Sequence, residues 1–285
     1  MHYLLLAILC SAAMAIVLKR FKDPAGNRYG IILGNYLTCV VIALAALLPT
    51  PALLVSGSGT AWLCGSITGV LFVVSLLAMQ NSIRVNGATL TSAFSRLGLL
   101  IPLAASIAFL GERPEMWDFI GLALALGALI LISGGNAGNG GSGEKPQTAL
   151  LLFTLLAGGF SDAMHKVFER VGSRAEDRLY IFCLFATAAL LTAVLTLLEK
   201  RKSGKRLLPA ELAMGILVGI PNYFSSFLLL KSLSSMPAFL VYPLFSTGTI
   251  LAVTAFNVPV FHERLTKRQL IGVGLILVAV ALLNI

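Results

Sequence analysis

Charged side chains are scarce in this sequence. Only 12% of its 285 residues are Asp, Glu, Lys or Arg, whereas soluble domains average about 25%. Hydrophobic residues make up 58%, and the mean hydropathy is +0.92. A soluble globule of this length needs a more charged surface, and a disordered chain needs fewer apolar residues. The composition therefore excludes both classes and leaves a polytopic, all-α integral membrane protein.

Motifs of catalysis and metal binding are also missing. The sequence contains no CxxC pair, no HExxH and no GxGD, and no GxxxxGK[ST] that would hold a nucleotide. The four cysteines lie in apolar stretches, where we interpret them as packing residues: Cys10, Cys39, Cys64 and Cys183. We therefore expect no enzymatic activity, no metal site and no cofactor. The net charge of +9 is interpreted as basic loops that set membrane orientation, so no nucleic-acid partner is expected.

Long apolar runs predict the spans. A transmembrane helix needs about 20 mostly apolar residues. Charged and turn residues delimit ten such segments, at 3–18, 30–48, 61–80, 87–110, 116–133, 148–168, 178–198, 209–230, 236–258 and 266–284. No basic segment precedes the first of them, which we interpret as a spanning helix and not a cleavable signal. A glycine-rich stretch, 134–147, separates the first five segments from the last five and is predicted to be a flexible linker.

The two sets of five spans match each other in sequence. A shift of 150 residues pairs identical residue types in and just after the first and sixth spans: Ser11, Ala13, Met14, Val17 and Arg20 with Ser161, Ala163, Met164, Val167 and Arg170. A shift of 151 adds Phe72 with Tyr223, Ser75 with Ser226, Phe94-Ser95 with Phe245-Ser246, and Gly121 with Gly272. A near-constant offset across four helices indicates an internal duplication, with repeats at 1–133 and 148–285.

An odd number of spans per repeat has a topological consequence. The second repeat must enter the membrane in the opposite direction to the first. Inverted repeats of this kind are common in secondary transporters, where the solute site lies near the midplane between the halves. The predicted architecture is therefore ten transmembrane helices in two inverted five-helix repeats around a central cavity.

Each repeat also closes in a similar way. An apolar helix is followed by Gly111-Glu112-Arg113 or His262-Glu263-Arg264, and then by a last helix that carries Gly121 or Gly272. With its two five-helix repeats, the chain resembles the EamA-type members of the drug/metabolite transporter superfamily over essentially its whole length. His262 departs from the usual glycine. The resemblance implies a central cavity and alternating access for small organic solutes, and it names no particular solute.

Charged residues inside the predicted spans are the first site candidates. Arg96 lies near the middle of the fourth span, where an arginine costs at least about 2.5–3.5 kcal/mol. Its guanidinium could bind a carboxylate or phosphate of the substrate, or it could form an internal ion pair. Asp162 and His165 share one face of the sixth span and are candidates for proton coupling. The alternative is that Asp162 is a structural counter-ion of Arg96, or that the helix is already leaving the membrane at this point.

Polar side chains near helix breaks are the second group of candidates. Pro221 interrupts the eighth span, and a proline removes one backbone donor from a helix. Hydrogen-bonding groups near this break and on matching spans are predicted to bind substrate together with Arg96: Ser95, Asn222, Tyr223, Tyr242 and Ser246. The alternative role for such residues is to join helices within the bundle.

These observations favour a secondary active transporter of a small organic solute, such as an amino acid, organic acid or related metabolite or drug. The alternative is a lipid or polyprenyl-phosphate translocator, or its accessory subunit, which a groove open sideways to lipid would favour. The expected partners are a small-molecule substrate, the lipid bilayer and protons as coupling ion. We expect a multi-pass protein of the cell membrane and a monomer, with a dimer left open.

Loop charges predict the orientation. Fourteen Lys and Arg residues fall in the odd-numbered loops and six in the even-numbered loops. Because basic residues accumulate in short cytoplasmic loops, the odd loops should be cytoplasmic and both termini external.

Overall fold

The computed structural model describes the chain except for residues 21–26, 28, 88–90, 92–93, 96, 110, 113, 135–146, 206, 262–266 and 283–285. The described residues form helices joined by turns and short connections, and they include no strand. The helices are α1 (His2–Arg20), α2 (Gly30–Leu47), α3 (Gly59–Asn86), α4 (Leu100–Phe109), α5 (Met116–Gly134), α6 (Thr148–Val171), α7 (Asp177–Ser203), α8 (Pro209–Leu233), α9 (Ala238–Phe261) and α10 (Lys267–Leu282). A single helical turn, Leu53–Ser56, precedes α3.

Apart from the fourth, each predicted span contains one continuous helix, because an apolar run of this length completes its backbone hydrogen bonds internally. Six described helices are long and apolar enough to cross a bilayer: Gly30–Leu47, Gly59–Asn86, Thr148–Val171, Arg174–Ser203, Pro209–Leu233 and Ala238–Phe256. Shorter apolar stretches occupy His2–Val17, Leu100–Phe109 and Met116–Ala128. The chain is therefore an all-helical membrane protein.

The fourth predicted span differs from the expectation of one continuous helix at 87–110. Residues 98 and 99 form a turn, and α4 begins only at Leu100. The N–H of Gly98 bonds to the carbonyl of Ser95 at 3.2 Å, three residues back, which is the tighter 3₁₀ pattern. A Cβ on Gly98 would lie 3.0 Å from the carbonyl oxygen of Leu155 and 3.3 Å from the nitrogen of Gly159. A close approach to the backbone of α6 thus accompanies the interruption.

The chain divides into two compact units, and each combines segments from both halves of the sequence. The first unit contains Met1–Val73 and Val167–Ser232, and the second contains Val74–Lys166 and Leu233–Ile285. The division lies within α3 and α6, so neither unit corresponds to one sequence repeat. The repeats at 1–133 and 148–285 remain a prediction about sequence duplication.

Packing in the first unit is centred on α7, which lies against α2. The Asn27 amide donates a hydrogen bond to the carbonyl of Thr196 at 3.0 Å, and the hydroxyls of Thr68 and Tyr180 lie 3.0 Å apart. The ring of Tyr180 stacks on Phe168 with centroids 4.0 Å apart. Gly204 follows the last residue of α7 and caps the helix: its φ of +69° is favourable for glycine, and its N–H donates to the carbonyl of Lys200.

Glycines allow helices of the first unit to approach closely. A Cβ on Gly65 of α3 would lie 2.6 Å from Cys183 Cβ of α7. A Cβ on Gly215 of α8 would lie 2.5 Å from Gly34 Cα of α2. Small residues at such crossings permit the dense packing that drives helix association in lipid. These glycines therefore serve contacts within the chain.

Replacing Gly215 with alanine is expected to destabilise the fold by at least about 1–3 kcal/mol, because the methyl group would overlap backbone atoms of α2 that cannot rotate away. Gly127→Ala is the matched control, since nothing lies within 4 Å of a Cβ at that position of α5. Thermal unfolding of the purified protein measures the difference. Equal stability of the two variants would show that the crossing tolerates a side chain.

The second unit is built on pairs of helices from opposite halves of the sequence. Helix α5 packs against α10, and α9 contacts α4 and α5. The side-chain oxygen of Asn86, at the end of α3, accepts a hydrogen bond of 2.7 Å from the backbone of Gln147, just before α6. This bond satisfies one backbone donor at the start of α6.

Candidate functional site

Buried polar groups of the first unit gather where α8 passes α2. Pro221 lies inside α8, and Asn222 follows it. The Asn222 amide donates to the side-chain oxygen of Asn35 at 3.1 Å, and each residue is 9% exposed. The thiol of Cys39 donates to the carbonyl of Gly219 at 3.3 Å. These bonds join the two halves of the sequence through side chains inside predicted spans.

Aromatic rings lie next to these amides, with Phe185 of α7 at their centre. Its ring centroid is 6.2 Å from Tyr36, 6.2 Å from Tyr223 and 6.3 Å from Phe72. Phe72 and Tyr223 are the two positions that a shift of 151 residues pairs in the sequence, and both contact the same ring. We call the six residues the aromatic–amide cluster: Asn35, Tyr36, Phe72, Phe185, Asn222 and Tyr223.

Two phenol groups of this cluster retain hydrogen-bonding capacity. Tyr36 and Tyr223 are 4% and 3% exposed, and among the described residues neither hydroxyl has a hydrogen-bond partner. The arrangement of apolar rings and hydroxyls with spare capacity is chemically suited to hold a small solute that has an apolar part and a polar group.

The other predicted site residues that the structure describes belong to the second unit. The hydroxyl of Tyr242 donates to the backbone carbonyl of Asp162 at 2.6 Å. His165 and Ser246 are buried, at 1% and 3% exposure. Ser95 is half-buried and helical, just before the turn at residues 98 and 99. Arg96 lies outside the described residues. The structure thus brings Tyr242 to Asp162, and it assigns Asn222 and Tyr223 to the other unit.

An ion pair near the end of α6, in the second unit, also caps the start of another helix. The Glu112 carboxylate is 3.0 Å from Lys166 Nζ, and both side chains are about nine-tenths buried. The same carboxylate accepts hydrogen bonds from the backbone N–H of Ala238 at 2.9 Å and of Phe239 at 3.4 Å. Because the first N–H groups of a helix lack partners within it, Glu112 caps the start of α9.

Removing this carboxylate is expected to be costly. Glu112→Ala should destabilise the protein by about 3–5 kcal/mol, because it removes one partner of a buried ion pair together with the cap of α9. Glu112→Gln should cost less, since its amide oxygen still accepts from Ala238. The exposed Glu115 of the same loop supplies the control variant, Glu115→Ala. Chemical unfolding in detergent that gives equal stabilities for Glu112→Ala and Glu115→Ala would contradict this role.

A second ion pair lies in the first unit. Lys231 Nζ is 2.6 Å from a carboxylate oxygen of Asp177 and 5.6 Å from the ring centroid of Phe227. The ring of Phe227 stacks on that of Tyr223, with centroids 6.1 Å apart. This arrangement connects the charged end of α8 with the aromatic–amide cluster.

A groove lies between α2 and α8 in the first unit. It encloses about 480 Å³ and is lined by residues 34–42 of α2 and 212–220 of α8. Apart from Thr38, its side chains are aliphatic, and the Thr38 hydroxyl donates to the carbonyl of Gly34 at 2.8 Å. We call this feature the α2–α8 groove.

Sequence reasoning missed several of these features. It did not select Phe185, because an aromatic residue within an apolar run gives no periodic signal. Nor did it select Gly34, because only the fold shows that this glycine meets Gly215 of α8. Among the described residues, no group of three or more His, Cys, Asp or Glu side chains is arranged to hold a metal ion.

Comparisons with known proteins cover the whole chain. The family model described as the EamA-like transporter family matches residues 1–134 and 148–285. An uncharacterized protein of Haemophilus influenzae is 24% identical over 283 residues, which is 96% of this chain and 94% of the relative. A solved crystal structure superposes with a TM-score of 0.77 at 18% identity, covering 98% of this chain and 94% of the other. This likeness shows a shared fold.

Proposed function

Because the chain belongs to the EamA-like transporter family, we propose that it is a secondary active transporter that moves a small organic solute by alternating access. The observation that carries the proposal is the aromatic–amide cluster. It places amides and phenols with spare hydrogen-bonding capacity among apolar rings, inside helices long enough to span a bilayer. Such groups are costly in lipid, and they often mark substrate pathways.

The proposed architecture has ten spans in two inverted repeats. It is supported by the family match on either side of the glycine-rich linker and by the equivalence of Phe72 and Tyr223 around Phe185. Arg96, Ser95, Tyr242 and Ser246 are proposed to contribute further substrate contacts. Asp162 and His165 are proposed to couple solute movement to protons in the cell membrane.

A ligand screen followed by transport tests this function. Purified protein is heated in the presence of each of the twenty amino acids and a set of small carboxylic acids. A solute that binds the folded state raises the apparent stability by mass action. Compounds that do so are then tested for counterflow in proteoliposomes. A solute that stabilises the protein and exchanges across the bilayer supports the proposal. If none of the screened solutes shows counterflow, the result speaks against amino acids and carboxylic acids as substrates.

The α2–α8 groove favours a second candidate function, a lipid or polyprenyl-phosphate translocator or its accessory subunit. The groove lies between two helices that are long and apolar enough to span a bilayer, and it is open on one side, as a path for lipid would require. However, the hydroxyl of Thr38 is already bonded to Gly34, so the lining offers little to a polar headgroup. Transbilayer movement of a headgroup-labelled lipid in proteoliposomes, absent from protein-free vesicles, would favour this candidate.

We expect the segment between the seventh and eighth predicted spans to be cytoplasmic, since its five basic residues belong to the odd-loop set. A cysteine introduced at the exposed Ser203, in a cysteine-free background, should resist a membrane-impermeant maleimide in intact cells and react after the cells are permeabilised. A cysteine in place of the exposed Ser173, beside α7 at its opposite end, should show the reverse pattern. Labelling of the Ser203 site in intact cells would reverse the assignment.

A further inference from the structure

The α2–α8 groove has the shape and chemistry of an acyl-chain site. Four aliphatic residues lining it are between 45% and 66% exposed: Leu37, Val41, Ile216 and Ile220. The groove extends over nine residues of each helix, and their eight steps of about 1.5 Å give a length of about 12 Å. That length is close to one leaflet of a hydrocarbon core about 30 Å thick.

Close packing of the two helices shapes this groove. A Cβ on Gly219 would lie 2.6 Å from the carbonyl oxygen of Asn35, and Gly215 meets Gly34 in the same way. Because these positions carry no side chains, the helix backbones form a recess between the larger aliphatic groups. The recess lies within segments that are long and apolar enough to cross the bilayer, so its natural surroundings are lipid.

Apolar contacts alone would not select one lipid, because acyl chains are equally apolar wherever they lie in the bilayer. Preference for one lipid over another requires a contact with its headgroup. Basic residues at one end of the groove could provide this contact. Helices α2 and α8 begin side by side, since a Cβ on Gly30 would lie 3.0 Å from Glu211 Cβ. Helix α7 ends beside them, as the bond from Asn27 to the carbonyl of Thr196 shows.

The basic residues of this end come directly after Thr196 in the sequence. Lys200 lies four residues, one turn, beyond Thr196 on the same face of α7. Four cations are exposed at this end: Lys200, Arg201, Lys202 and Lys205. They outnumber the nearby acids Glu199 and Glu211, and Glu211 is buried at 4% exposure. Among the described residues, the end of the groove where its helices begin therefore carries more basic than acidic side chains.

We infer that the α2–α8 groove binds one acyl chain of an anionic phospholipid whose headgroup lies at the basic segment formed by Lys200, Arg201, Lys202 and Lys205. The lipid is a bound component of the protein and not its transported solute. If the odd loops are cytoplasmic, the site faces the leaflet whose anionic lipids attract basic segments.

Lipid binding to delipidated protein in detergent tests the inference. The probes are phosphatidylglycerol and phosphatidylethanolamine with identical acyl chains, and glycerol phosphate, which has the charge but no chain. Phosphatidylglycerol should be retained in native mass spectra more strongly than phosphatidylethanolamine, and glycerol phosphate should not be retained. Replacing one of the three lysines with glutamine should weaken phosphatidylglycerol binding by about fivefold.

Groove-filling variants separate this site from general lipid association. Ile216→Trp and Val41→Trp should reduce retention of both lipids, while Leu190→Trp, at a 67% exposed position of α7 away from the groove, should bind as the wild type does. Retention unchanged in both groove variants, or equal retention of the two lipids by wild type, would overturn the inference. The inference would also be overturned if the wild-type protein is a dimer and the Ile216→Trp variant is a monomer, because a second copy of the chain would then occupy the groove.

Discussion

Replacing Arg96 with alanine is expected to abolish solute transport in protein that still folds. An arginine near the middle of a span costs at least about 2.5–3.5 kcal/mol, so the sequence predicts a partner or a polar cavity for Arg96. Its neighbours Ser95 and Leu97 are helical and half-buried, and a turn follows at residues 98 and 99. If the guanidinium binds an acidic group of the solute, Arg96→Lys should retain only part of the rate, because lysine keeps the charge and loses the planar pair of donors.

Arg84→Ala is the matched control for this experiment. It removes an arginine from the same half of the chain, at an exposed position in the last turn of α3. Counterflow in proteoliposomes, at equal amounts of reconstituted protein, measures the rates. Transport at the wild-type rate in well-folded Arg96→Ala would exclude a substrate-binding role. Loss of folded protein in Arg96→Ala would instead indicate the structural ion pair that the sequence left open.

The positions of the helices could be predicted from the sequence because each depends on a local property. An apolar run of sufficient length must be helical in lipid, whatever its neighbours are. Helices α1, α2 and α5 therefore begin and end within two residues of the predicted spans. The turn at residues 98 and 99 was missed because glycine is common in membrane helices. Its effect here depends on the approach of Gly159, which is distant in sequence.

Contacts between side chains distant in sequence were much less predictable. Glu112 was recognisable as a residue at a helix end, but nothing in its local sequence identifies Lys166 or the start of α9 as its partners. Likewise, Asn222 stood out beside Pro221, whereas its partner Asn35 depends on how α8 crosses α2. Local pattern thus indicates which residues are unusual for a membrane helix, and packing decides which of them meet.

Asp162→Asn is expected to uncouple solute movement from the proton gradient while exchange of solute continues. The substitution leaves the backbone carbonyl of Asp162 in place, so the 2.6 Å hydrogen bond from Tyr242 can persist. Asparagine has nearly the same shape as aspartate but cannot take up and release a proton, so a coupling step that requires this carboxyl group should stop. Solute accumulation in proteoliposomes under an imposed pH gradient should fall to the level without a gradient, and counterflow should remain.

Tyr242→Phe provides the comparison that isolates the carboxyl group. It removes the hydroxyl that contacts the Asp162 backbone and leaves the carboxylate unchanged. We expect it to alter the concentration of solute needed for half-maximal transport but to retain accumulation driven by the gradient. If Asp162→Asn accumulates solute as the wild type does, Asp162 is not the coupling group. If the protein unfolds in both Asp162→Asn and Arg96→Ala, the two residues form a structural pair, and the coupling proton must be carried elsewhere.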